Sequence, residues 1–167
     1  MNRESFINNI LPLQQKVFRF ALSFTHDRQE ADDITQETYE KLWARRDELD
    51  RYSNVEGMIM RSVRNLCLDK IKLRRIHTER LADYKSGQDV QEAANERFDT
   101  RQTVQMAIKR LPERQQTIIH LRDIEGYEMD KVAEIMEIRE DAARVLLSRA
   151  RKQLKTELTN IMNYGVQ

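Results

Sequence analysis

Glycine and proline are scarce in this chain, four and two among 167 residues. Tight turns, bulges and strand ends depend on those residues, so β architectures are disfavoured and helices are expected. Aromatic residues make up only 7% while charged ones reach 34%, which reinforces an all-α reading. The single cysteine, Cys67, excludes an internal disulfide framework. His26, His77 and His120 stand far apart and show no ligand spacing with Cys67, so no metal site is expected, and Cys67 reads as a buried, inert helix residue. No apolar run approaches the ~20 residues that span a bilayer, and MNRESFINNI has neither the apolar core nor the cleavage signature of a secretory signal. The expectation is a cytoplasmic protein with no membrane insertion of its own. Nothing resembles a P-loop, a nucleophile elbow or a glycine-rich dinucleotide turn. No catalytic residues and no cofactor are therefore expected, and the reading is of a non-enzyme.

The net charge of +1 hides a strong segregation. Residues 61–75 carry six Lys/Arg against one acid, and residues 139–155 carry six against two. Between them, residues 113–138 hold seven acids and three bases. Two basic patches are thus separated by an acidic stretch, a pattern suited to anionic partners on two surfaces.

Helical periodicity organises the rest. Leu13, Val17, Phe20, Ala21 and Phe24 follow Pro12 at helical spacing, and Ala31, Ile34, Thr38 and Leu42 repeat it after the polar break HDRQ. SNVE at 53–56 fits a capping box, with Ser53 as cap and Glu56 reaching back. The spacing predicts a third helix from there to about Arg75, carrying Val55, Ile59, Ser62, Leu66 and Leu73 on one face. Residues 76–99 offer little apolar surface and read as a flexible linker, with some helix around QEAANER. Beyond it, Val104, Ala107, Ile108 and Leu111 mark a helix stopped at Pro112, and Ile118, Ile119 and Leu121 lead toward a C-terminal cap at Gly126. Two small helical domains are expected, residues 1–75 and 100–160.

The stretch AEIMEIREDAARVLLSRARKQL poses the sharpest question. In one continuous helix Ile138 would lie opposite the apolar stripe of Val132, Ile135, Met136, Ala143, Leu146, Leu147, Ala150 and Leu154. A turn at Glu137 to Arg139 brings Ile138 inward between two helices and produces a helix-turn-helix. Its second helix then turns Asp141, Arg144, Val145, Ser148, Arg151 and Lys152 outward, either into a major groove or simply into solvent. On the third helix Arg61, Arg64, Asn65, Lys72 and Arg75 share a side, which suits phosphates and a base edge or, again, a solvated face. Asp33, Gln36, Glu37 and Glu40 form an acidic face on the second helix that would repel DNA and suits a basic protein partner.

The order ADDITQETYEKLW, NVEGMIMRSVRNLCLDKIKLRR, a polar linker, LPERQQTIIHLRDIEGYEMDKVAEIM and REDAARVLLSRARKQLK resembles the RNA polymerase sigma factors of the extracytoplasmic-function subfamily. The resemblance covers nearly the whole chain apart from the linker and the last few residues. It implies an N-terminal domain that opens and reads the minus-ten element and a C-terminal helix-turn-helix for the minus-thirty-five element, both carried by core RNA polymerase. Asp33, Gln36 and Glu37, with neighbouring Glu40, match the segment that grips the clamp helices of the largest polymerase subunit. Arg61, Asn65 and Asp69, flanked by Arg64 and Lys72, match the helix beside the minus-ten pocket, and the loop from Asp47 to Asn54 would form its rim. Arg144, Ser148, Arg149 and Arg151, with Arg139, Val145 and Lys152 around them, match the minus-thirty-five helix and its phosphate contacts. The resemblance also implies an anti-sigma factor as a further partner.

Some positions depart from the family pattern. Met58 stands where Trp is usual, Glu137 where the turn often has Gly, and Arg139 where Ser or Thr often caps the recognition helix. Val145 and Leu146 replace commonly polar residues on or beside the reading face. The competing reading is a helix-turn-helix regulator that acts without being a polymerase subunit, and it leaves the first domain without a role.

Overall fold

The structure, a computed structural model, describes residues 1–82 and 99–164. Its elements are α1 (Arg3–Asn9), a 3-10 turn (Leu11–Leu13), α2 (Gln14–Thr25), α3 (Arg28–Ala44), a second 3-10 turn (Arg46–Arg51), α4 (Val55–Ala82), α5 (Thr100–Lys109), α6 (Glu113–Ile119) running into a π-helical turn (His120–Ile124), α7 (Met129–Met136) and α8 (Glu140–Tyr164). The described residues contain no strand, in keeping with an all-α chain.

The predicted apolar stripes of α2 and α3 lie where their spacing required, whereas on α4 the buried side is Ile59, Met60, Val63 and Cys67, and Ser62 and Leu73 of the expected stripe are exposed. Val17, Phe20 and Ala21 of α2, Ala31 and Ile34 of α3, and Ile59, Met60, Val63 and Cys67 of α4 are buried together. Burial pushes the Cys67 thiol up to about 12, so it stays protonated and unreactive. Between α2 and α3 the chain reverses at His26, held in the left-handed region at φ 52°, and the next helix starts on the Asp27 carboxylate, which accepts from Glu30 N at 2.9 Å. The short α1 is capped in the same way by Asn2, and Tyr39 of α3 donates to the Ile10 carbonyl behind it.

Two expectations about α4 need correction. Its cap is Asn54, whose side-chain oxygen accepts from Gly57 N at 3.0 Å; Ser53 is exposed and caps nothing. Glu56 does not reach back to the cap, because its carboxylate accepts from Lys16 at 2.7 Å and from the Tyr127 hydroxyl at 2.6 Å. The helix also runs past Arg75 to Ala82, into part of the predicted linker. The apolar pattern fades there because the helix projects beyond the core, leaving Leu73, Ile76 and Leu81 exposed. With no Gly or Pro in IHTERLA, the backbone bonding continues regardless. The rest of the expected linker through residue 98, with its QEAANER segment, lies outside the described residues.

The question of how the chain turns at Ile138 is answered by a Schellman motif. Glu137 adopts a left-handed conformation at φ 56°, Glu137 N donates to the Glu134 carbonyl and Ile138 N to that of Ala133. Ile138 therefore folds back onto the core instead of continuing the helix. Gly126, at φ 77°, closes the preceding helix as its spacing suggested. Between α6 and that glycine the π turn lets Glu125 N donate to the His120 carbonyl, placing the Glu125 carboxylate beside the His120 ring.

The two halves are packed against each other. α4 lies along α7, and α2 meets α6 and the π turn. At the centre the Phe20 and His120 rings stack at 5.6 Å.

Candidate nucleic-acid interface

Three surfaces bear on function. The first is a cavity of about 300 Å³ between the end of α3, the Arg46–Arg51 turn and α4. Arg61, Ser62, Met58 and Leu66 line it from α4, Lys41 from α3, Arg45 from the residue that caps α3, and Tyr52 from the Asp47–Asn54 loop. This is the low end of small-ligand pocket size, and its walls combine apolar surface with cationic groups. Tyr52 is 45% exposed at the cavity rim. Sequence reasoning placed the loop at the rim but did not single out Tyr52; an aromatic residue in a polar RYSN segment was the available signal.

The basic stripe of α4 divides among three directions. Arg61 lines the cavity. Asn65, Asp69 and Lys72 are exposed, with Asn65 accepting from Arg64 at 3.2 Å. Arg64 is turned the other way, only 16% exposed, with its guanidinium 3.6 Å from the Glu137 carboxylate of the helix-turn-helix. Arg75 likewise approaches Glu113 at 3.9 Å. A single helix face in projection is thus divided three ways in the folded chain.

The acidic face of α3 divides in the same manner. Gln36 and Glu40 border a groove with Ile7, Leu11 and Trp43, while Asp33 faces α4 beside Lys70 and Arg74. Glu37 is engaged internally, accepting from Lys41 at 2.7 Å and lying 3.2 Å from Lys70. The Lys41 hydrogen bond, with Lys70 beside it, holds the Glu37 carboxyl below its ordinary range despite partial burial.

The third surface is the outer face of α8. Ala143, Leu147 and Ala150 are buried, leaving Arg139, Arg144, Val145, Ser148, Arg149, Arg151 and Lys152 exposed together. Arg139 pairs with Asp141 at 3.1 Å and Arg144 with Glu140 at 2.7 Å, both on the first turn. Arg151 forks onto Asp123 at 2.6 and 3.1 Å, which ties the middle of α8 to the π turn. Arg149 and Lys152 have no ion-pair partner among the described residues. Val145, 51% exposed, is the aliphatic group on this otherwise polar face.

The seam between the halves is crossed by charged side chains. Arg19 of α2 donates twice to Glu125, at 2.8 and 3.0 Å, and Glu125 is only 5% exposed. Burial alone would raise the Glu125 carboxyl, but the adjacent His120 and Arg19 side chains more than reverse this and hold it at about 2. His120 Nε2 lies 3.3 Å from Glu125 Oε1 without hydrogen-bond alignment. Asn54 Nδ2 donates to Glu134 at 3.1 Å, further along the same seam.

A cavity walled by cations and an aromatic ring, on one chain with an outward basic helix-turn-helix, has the chemistry of the DNA-binding class of proteins. The family model of sigma-70 region 2 matches residues 10–76 and that of sigma-70 region 4 matches residues 101–154. A curated relative, the ECF RNA polymerase sigma factor SigW of Bacillus subtilis, is 22% identical over 96% of this chain and 92% of its own length. Among solved structures, the fold is similar to the sigma factor RpoE of Bartonella quintana in complex with the anti-sigma factor NepR, at TM-score 0.77 and 22% identity, covering 93% of this chain and 98% of that one. It is also similar to CnrH in complex with the cytosolic domain of CnrY, at TM-score 0.68 and 20% identity, covering 95% and 90%. The chain belongs to the sigma-70 family of RNA polymerase sigma factors, and the curated relative it resembles is of the extracytoplasmic-function branch.

Proposed function

We propose that the chain directs core RNA polymerase to promoters as a non-enzymatic subunit, with its N-terminal half through α4 serving the polymerase and the minus-ten element and α5 to α8 serving the minus-thirty-five element. The observation that carries this is the presence of region 2 and region 4 matches in order on one chain, each coinciding with a surface of suitable chemistry. In the first half, a base turned out of the nontemplate strand enters the cavity between Arg61 and Tyr52, where stacking and a charge-assisted hydrogen bond replace its lost pairing. Asn65 and Lys72 follow the same strand, supplying an amide for a base edge and a cation for phosphate. Gln36 and Glu40, with Asp33 at the other edge of α3, meet a basic surface of core polymerase.

In the second half, the first turns of α8 enter the major groove. Arg144 exchanges Glu140 for a guanine edge or a phosphate, and Arg149 and Lys152 contact the backbone. A helix-turn-helix regulator acting alone would have no use for the cavity or the acidic face. Because the RpoE comparison structure contains an anti-sigma factor, we extend the same class of partner to this chain. No helix of the described residues is long and apolar enough to cross a membrane, which suits a partner of polymerase in the cytoplasm. The test is affinity capture with purified core polymerase followed by run-off transcription. Failure to bind core, with DNA binding intact, would leave the lone regulator as the better reading.

A further inference from the structure

A cleft of about 380 Å³ opens between the end of α2, α5 and the start of the π turn, and no residue assigned above to DNA or to core polymerase lines it. Its charge is one-sided. Arg101, Lys109 and His26 border it, and among the described residues no carboxylate does. Arg19 borders it as well, but its guanidinium is already forked onto Glu125. Arg101 and Lys109 have no ion-pair partner among the described residues. They share a face of α5 with Gln105 midway between them, which sets the two cations about 12 Å apart along the helix. Burial and the neighbouring Lys109 ammonium hold the His26 imidazole below its ordinary range, so positive charge accumulates at that end with nothing to answer it.

The remaining walls are largely apolar. Leu22, Ile108 and Ile124 line the cleft, and Ile124 is 54% exposed. His120 also lines it; the ring is buried, and its Nε2 makes no hydrogen bond. A buried nitrogen without a partner is uncommon and marks a place where a further polar group fits. A space of this size is too large for a simple inorganic anion, and its cations disfavour a neutral apolar molecule.

We propose that this cleft binds a nucleotide, with Lys109 and His26 on the phosphates, the Arg101 guanidinium against the base and the Gln105 amide on a polar edge between them. Each residue type suits its place. A lysine ammonium is a compact point charge for phosphate, whereas the planar guanidinium of arginine stacks on a base. Ile108 and Ile124 cover the sugar, and the free His120 nitrogen meets one of its hydroxyls. The site is separate from the promoter and polymerase surfaces, and it stands whether or not the chain acts as a sigma factor.

Calorimetric titration of the full chain at low salt with adenosine diphosphate, adenosine and inorganic phosphate tests this. Adenosine diphosphate should bind at least about tenfold more tightly than either fragment, because only it uses both ends of the cleft. Lys109→Gln should weaken it about tenfold, the loss of one charge-assisted hydrogen bond. Arg101→Gln should weaken it about threefold, the loss of a stacked cation. Lys155→Gln removes the same charge from an exposed position on α8 and should change nothing. All three substitutions are of exposed side chains, so the fold is not at stake. Proton NMR of the histidine rings locates the ligand: the His26 signal should move on titration, and that of His77, on α4 and outside the cleft, should not. No heat with adenosine diphosphate, or equal weakening by Lys109→Gln and Lys155→Gln, would overturn the site. Decanoate binding more tightly than adenosine diphosphate would overturn the nucleotide in favour of a lipid-like anion. A single-stranded oligonucleotide that loses affinity on Lys109→Gln while adenosine diphosphate fails to bind would overturn it in favour of a DNA contact.

Discussion

Gly57 illustrates how a single cap can reverse the sign of a mutation. A Cβ added there would lie 2.2 Å from Asn54 Nδ2 and 2.8 Å from its Cγ, so Gly57→Ala forces the Asn54 amide out of its capping position. Loss of the cap costs about 1 kcal/mol. The Asn54–Glu134 hydrogen bond is displaced with it, at about 0.5 kcal/mol for an exposed neutral-to-charged contact. Against these stands the gain of about 0.8 kcal/mol from replacing glycine by alanine in a helix. The net effect in wild type is a destabilisation of about 0.7 kcal/mol, the difference of those terms. In an Asn54→Ala background the cap and its clash are already gone, so the same substitution should stabilise by about 0.8 kcal/mol. The coupling between the two positions is then about 1.5 kcal/mol, well above the additivity error for independent sites. Urea unfolding of the four proteins followed by circular dichroism measures it. Equal effects of Gly57→Ala in both backgrounds would refute the cap geometry.

Other outcomes follow from the same side chains. Asp33→Asn should weaken core polymerase binding with little change in stability, whereas Glu37→Lys should also destabilise, because it sets a third cation beside Lys41 and Lys70; matched competition binding and thermal melts distinguish them. Glu125 has a folded pKa depressed to about 2 from its ordinary 4.5, so the unfolded chain binds more protons between those values. Its contribution is complete above about pH 4.5 and is lost as pH falls toward about 2, so Glu125→Gln should flatten the acid limb of the stability curve; an unchanged limb would count against the Arg19–Glu125 fork. Val145 should rest on a thymine methyl in the minus-thirty-five element, so replacing that thymine by uracil should cost wild-type holoenzyme about 1 kcal/mol and leave Val145→Ala nearly indifferent. Equal sensitivity of both proteins at every thymine would remove the contact.

What could be read from the chain beforehand was whatever repeats locally. The out-of-phase Ile138 announced the turn at Glu137 because a helix has one period and a residue off the stripe must be explained. Gly126 announced a helix end because only a few residue types tolerate its φ. The errors share a different cause. Ser53 and Asn54 are both good caps, and periodicity does not choose between adjacent candidates; the choice came from Glu56, whose carboxylate was drawn to Lys16 and to Tyr127, 71 positions away. On α4 the apolar pattern marks only the end of burial, whereas backbone bonding needs no apolar face and carries the helix on to Ala82. The seam was invisible for the same reason, since Arg19 and Glu125 are 106 positions apart and neither lies on a repeating pattern. Arg64 and Arg61 share a stripe on a helical wheel, yet only packing shows that one faces a cavity and the other Glu137.

Promoter opening tests the central claim most directly. Core polymerase reconstituted with this chain should unpair a promoter mapped from its own transcription starts, read as permanganate-reactive thymines around the minus-ten element. Core alone should leave the same DNA closed. Asn65→Ala should bind core normally, open the duplex poorly and recover on a premelted template. Absence of reactive thymines with the wild-type chain bound to core, or an Asn65→Ala protein that opens duplex and premelted templates as well as wild type, would contradict the account.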